Sequence, residues 1–159
     1  MGIARDANQT LHLLAAGLWL GGLVPLGYLL RLGRSVEDAA GMCLIRGAIR
    51  RFSQMGYLAV ALIAATGAVN TLLLVGGAAA MFSTVYGRLL AVKILLFLAM
   101  VVVALVNRFY LSPRIAGDTR AALGSLYRGV EFEQGLAICI LALISVIGTL
   151  PPAILGGRN

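Results

Sequence analysis

Side chains that carry chemistry are scarce in this sequence. Its 159 residues hold one histidine, one tryptophan, two cysteines and six acids. A single histidine rules out bis-histidine haem ligation within one chain, and no His-x-His or Met-x-x-Met pair is present to build a closed copper site. Cys43 and Cys139 lie far apart without C-x-x-C spacing, which argues against a zinc site or a disulfide framework and for two unpaired, packing thiols. Charge is equally sparse. Only 12% of the residues are charged, about half the share usual in a soluble domain. The net charge of +7 comes without a basic stripe interleaved with aromatics, so nucleic acid is excluded as a partner.

What fills the chain instead is apolar. Hydrophobic residues make up 60%, and the mean hydropathy is +0.96. So much apolar surface cannot be hidden behind so few charges, and the chain reads as an integral membrane protein in contact with the lipid bilayer. Four stretches, at about 11–30, 52–75, 89–109 and 129–150, are long enough to cross a hydrocarbon core of about 30 Å. The expected fold is all-α: a single four-span domain over 1–159, folded as an up-down transmembrane bundle. The first stretch is followed at once by Arg31 and Arg34 and has no small-x-small cleavage site, so it reads as a retained span. Gly17 and Gly21, widened by Gly22, offer a small-residue surface for a neighbouring helix, as do Ala61, Ala64, Ala65, Gly67 and Ala68. Pro25 cannot donate to the Gly21 carbonyl and predicts a kink or a freed carbonyl there.

The basic residues set the orientation. Arg31, Arg34, Arg46, Arg50 and Arg51 crowd the first loop, and Arg108, Arg114, Arg120 and Arg128 the third. The positive-inside rule then puts both loops in the cytoplasm and both termini outside. Ser35, Glu37 and Asp38 look like the start of a short interfacial helix in the first of these loops, and Asp118 like the cap of a second.

Polar residues inside the spans gather at two depths. Toward the outer end stand His12, Thr66, Asn70, Tyr86, Arg88, Lys93, Ser145 and Thr149. Toward the inner end stand Arg51, Asn107, Arg108, Glu131 and Glu133. Intramembrane polar groups are costly and turn into the bundle, so each group marks a candidate site. Each also has a plainer reading. Lys93 can snorkel to the headgroups, Glu133 can be held by a helix dipole and an arginine, and the hydroxyls and amides can bond between helices. Trp19, seven residues after His12 and on nearly the same helical face, lies too deep for the interfacial aromatic belt, so it either packs inside the bundle or faces lipid. As metal ligands only His12 and Met81, with Met1 and Met100 as further sulfurs, come into consideration, and Arg88 and Lys93 would repel a cation.

Several short motifs resemble a known family. Leu11-His12-Leu13, Trp19-x-Gly21-Gly22-Leu23, Arg51-Phe52-Ser53, Thr66-Gly67, Tyr86-Gly87-Arg88-Leu89-Leu90-x-x-Lys93, Asn107-Arg108, Glu133 and Gly148-Thr149-Leu150-Pro151-Pro152 occur in the order found in the copper resistance protein D (CopD) family. That resemblance touches all four spans. It implies a bacterial inner-membrane protein that handles copper, often with a small periplasmic copper carrier. Longer members carry further spans upstream, so the likeness is to their C-terminal half, as a short form or a fragment. A weaker resemblance, in the His12 and Trp19 spacing and the third-span lysine, is to HemJ-type protoporphyrinogen oxidases, which bind haem b. The Glu-Arg-Arg-Leu-Tyr-like segment of that family is missing, since this chain reads Arg50-Arg51-Phe52.

Three functions follow as expectations. The first is copper handling at the inner membrane, as permease or accessory component rather than enzyme, with His12 contacting metal or moving a proton. The second is a haem-binding redox protein with His12 as axial ligand and Arg88 and Lys93 toward the propionates. The third is a non-catalytic subunit of a homodimer or larger membrane complex, with Gly17 and Gly21 at its interface.

Overall fold

The computed structural model describes residues 2–36, 38–75, 82–116 and 119–149. Its elements are α1 (Gly2–Gly33), α2 (Ala39–Val75), α3 (Val85–Val106), a π-helical turn (Asn107–Leu111), a 3-10 turn (Ser112–Ala116) and α4 (Thr119–Ile147). Four helices are long and apolar enough to cross a membrane. The expected Met81 ligand, Met1, Glu37, the Asp118 cap and the closing Leu150-Pro151-Pro152 lie outside the described residues.

Each helix turns one stripe inward. On α1 the buried residues are Ala15, Trp19, Leu23, Leu26 and Leu30, spaced by threes and fours. They meet Ile45, Ile49, Ala59 and Ile63 of α2, Met100 of α3, and Leu123, Leu126, Val130, Ala137 and Ile140 of α4. α1 packs on both α2 and α4, and α4 packs on α3, whereas α2 and α3 barely touch. Laterally the helices therefore run α2–α1–α4–α3, an arc with a gap between its two ends. The outward faces keep large apolar residues exposed, such as Leu72, Leu95 and Ile138, as a lipid-facing surface requires.

Helix boundaries depart from the sequence reading in three places. α1 already runs from Gly2, so the polar residues ahead of Leu11 form its first turns. The segment expected as a separate interfacial helix is the beginning of α2, which continues unbroken for 37 residues, about 55 Å. Its start is capped by Asp38 rather than Ser35, the Asp38 carboxylate accepting the Gly41 N–H at 2.8 Å. α4 likewise starts at Thr119, ten residues before the expected Gly129. Nothing in the apolar pattern marks where hydrocarbon gives way to headgroups, so the helices simply run on through both. α3 is capped by Thr84, whose hydroxyl accepts the Gly87 N–H at 3.0 Å.

The close approaches are made by glycines other than the expected pair. Gly17 and Gly21 are exposed, and an added Cβ would meet nothing within 4 Å. Gly27 instead faces α4, where a Cβ would stand 2.9 Å from Gln134 Nε2 and 3.5 Å from Val130. Gln134 donates from the same position to the Leu23 carbonyl at 2.9 Å, two residues before Pro25, and α1 continues as helix through that proline. Gly27→Leu must wedge α1 from α4 and break this bond. The expected loss of stability is about 1–3 kcal/mol, as for overpacking in other cores. Thermal unfolding in detergent, followed by circular dichroism, measures it.

Candidate functional site

At the end of the bundle opposite the arginine-rich loops, α1 and α2 share a polar network. Asn8 donates to the Thr66 carbonyl at 3.1 Å and to Asn70 Oδ1 at 2.9 Å. Asn70 in turn donates to Gln9 Oε1 at 2.9 Å. One turn further in, His12 Nδ1 lies 2.8 Å from Thr66 Oγ1. The His12 ring lies against Gly67, where a Cβ would stand 3.4 Å from His12 Cε1, in van der Waals contact.

The bonding at Thr66 assigns a proton to one nitrogen of the imidazole. Its hydroxyl oxygen stands 2.5 Å from the Leu62 carbonyl. A carbonyl cannot donate, so the single hydroxyl proton of Thr66 points to Leu62. The Thr66–His12 bond must then use a proton on His12 Nδ1. The ring also bonds the Ile63 backbone; a neutral imidazole protonated at Nδ1 carries its lone pair on Nε2, a form that can ligate a metal.

Other residues expected at this depth are arranged less simply. Lys93, half-buried on α3, lies within electrostatic reach of His12. Arg88 is exposed. Ser145 and Thr149 are exposed and donate to the Leu141 and Val146 carbonyls of their own segment, so neither joins the network. Asn8 and Gln9, which precede the expected first span, do join it. For Asn8 the signal was the spacing 8, 12, 15, 19, which extends the buried stripe of α1 outward. Trp19, two turns inward of His12, is buried with its ring edge-on to Phe97, the centroids 6.0 Å apart and the planes at 87°.

The second polar group lies toward the basic end. Asn107 Nδ2 donates to Glu133 Oε1 at 2.6 Å, and both residues are buried. Asn107 opens the π-helical turn, and it lies so close to α4 that a Cβ at position 129 would collide with its amide. Because α4 begins at Thr119, Glu133 sits nearly four turns inside the helix. Stabilisation by the helix N-terminus, which fades within the first turn, does not reach it. Arg51 and Glu131 are exposed and stand apart from this pair. Glu133, Asn107 and Arg108 line a cavity of about 240 Å³ whose walls are otherwise mainly apolar, including Trp19, Phe52, Tyr57 and Val101. The cavity occupies the gap between α2 and α3, with α1 and α4 behind it.

Among the described residues no three His, Cys, Asp or Glu side chains come together. Cys43 and Cys139 are free and exposed, and Met100 is buried in the core.

Comparison with known proteins gives the chain a family. The sequence profile described as "Copper resistance protein D" matches residues 46–147. The inner membrane protein YebZ of Escherichia coli (strain K12) is 35% identical over 150 residues, which is 93% of this chain and 49% of that protein. Copper resistance protein D of Pseudomonas syringae pv. tomato is 35% identical over 153 residues, 92% of this chain and 49% of the relative. Copper transport protein CutJ of Bacillus subtilis (strain 168) is 30% identical over 141 residues, 89% and 24% of the two chains. The chain thus spans about half the length of the first two relatives and about a quarter of the third. No solved structure matches it. With a family match over well more than half of its residues, the chain belongs to the copper resistance protein D family.

Proposed function

We propose that this protein handles copper at the bacterial inner membrane, passing or receiving the ion at the outer end of its bundle. The observation that carries this reading is the Thr66-anchored His12 ring, the single imidazole of the chain, held at the outer end of the bundle of a copper-family protein. The names of two relatives, one for copper resistance and one for copper transport, support the same cargo. One imidazole with a lysine in electrostatic reach holds a copper ion weakly. That suits transient exchange with a donor better than storage, and a small periplasmic copper carrier is a fitting donor. The arginine-rich loops support an orientation with both termini in the periplasm.

The test uses the protein in lipid nanodiscs and in cells. Cu(I) binding, measured by competition with a chromophoric chelator, is expected to fall by more than about tenfold in His12→Ala. Cellular copper content or copper sensitivity should change with it. Unchanged binding and unchanged copper phenotype in a folded His12→Ala protein would overturn the reading. The family match favours copper over the haem alternative, and the optical spectrum separates the two: a Soret band lost in His12→Ala would replace copper by haem.

A further inference from the structure

Glu133 plays no part in the outer network and stands apart from it. The residue is 2% exposed, in the middle of a transmembrane helix. Among the described residues its hydrogen-bond partner is Asn107, a neutral amide, and no cation pairs with it. A carboxylate held in such surroundings without a counter-charge is too costly to persist, so the group is held as the neutral acid. Asn107 donates to Oε1. No side-chain oxygen or nitrogen among the described residues is both fully buried and unpartnered, so the residual exposure of Glu133 falls on Oε2, on the cavity side.

Three features build this place. The π-helical turn positions Asn107, and π turns concentrate at functional sites. Gly129 leaves room for the Asn107 amide beside α4. The cavity gives Oε2 a path to the basic end of the bundle, past Arg108 and Ser112. The charged and titratable groups on the cavity wall besides Glu133 are Tyr57 from α2 and Arg108 from the π turn, while α1 contributes Trp19 and Leu26 and no charge.

We propose that Glu133, held by Asn107, is an exchangeable proton-binding site within the membrane, reached through the cavity between α2 and α3. A proton arriving from the basic end bonds to Oε2 and neutralises the carboxylate. Its release returns one negative charge to the carboxylate, and the proton leaves by the same cavity. The O–H bond at Oε2 forms as the proton's bond to its aqueous carrier breaks, and release reverses both. The site stands independently of the copper reading.

Infrared spectroscopy of the full chain in lipid at neutral pH tests it. The expected result is a carbonyl stretch from a protonated carboxylic acid that shifts in D2O and is absent from Glu133→Gln. Asn107→Leu should move the same band, since one hydrogen bond to the carbonyl is lost, and this assigns the band even if Glu133→Gln fails to fold. Absence of the band means an ionised Glu133 and overturns the proposal. So does a band that does not shift in D2O, which means a sealed acid, or one that persists in Glu133→Gln or ignores Asn107→Leu, which places the acid elsewhere.

Discussion

Trp19→Ala is expected to cost about 3–5 kcal/mol, the range for truncating a fully buried aromatic. Trp19 is 3% exposed and presents its ring to the edge-on Phe97 of α3, so α1 and α3 meet through these two side chains. It also forms part of the wall of the inner cavity. Truncation would therefore enlarge an existing void instead of letting the core collapse into it, which places the cost toward the upper end of the range. Trp19→Phe keeps an aromatic face and should recover much of the loss. Because Trp19 is the sole tryptophan, the variants are compared by circular dichroism during thermal unfolding, not by fluorescence. A loss below about 1 kcal/mol, typical of a surface substitution, would contradict this role.

Thr66→Val is expected to weaken copper binding about 10–100-fold with little effect on the fold, as for other residues that orient a metal-bound histidine. Valine matches threonine in shape but removes the oxygen that accepts from His12 Nδ1. The ring is then free to place its proton on either nitrogen and to turn. Thr66→Ser keeps the oxygen and should retain most of the affinity. Hydrogen bonds between membrane helices average well under 1 kcal/mol, so thermal unfolding should shift little. Wild-type Cu(I) affinity in Thr66→Val, read by the same chelator competition, would contradict the orienting role and leave His12 to act without it.

The four-helix, all-α architecture was legible in composition alone, because nothing but membrane-spanning helices accommodates so apolar a chain. Helix ends were not. Polar residues at the start of α1 fell outside the expected span because their partners, Thr66 and Asn70, lie on another helix. The proximity of His12, Thr66 and Asn70 followed from depth and helical phase, both of which can be counted along the chain. The pairing of Asn107 with Gly129 could not be counted, since it depends on how α3 and α4 slide against each other. The π turn left no mark either, for Asn107 to Leu111 contains no proline or glycine to announce it. Gly17 and Gly21 matched a packing motif yet point away from the other helices, because a spacing rule does not say which face of a helix turns inward.

The π turn has a consequence for chain length. A π-helical turn closes its hydrogen bonds one residue later than an α-helical turn, so the stretch behaves as an α-helix with one residue inserted. Removing a residue there would let the helix rewind and swing everything beyond it by about 100° about the axis. The 3-10 turn that follows would then carry the Ile115 carbonyl away from Arg46, which now donates to it at 3.1 Å. One residue in the π turn thus sets the phase of the connection that meets Arg46 of α2.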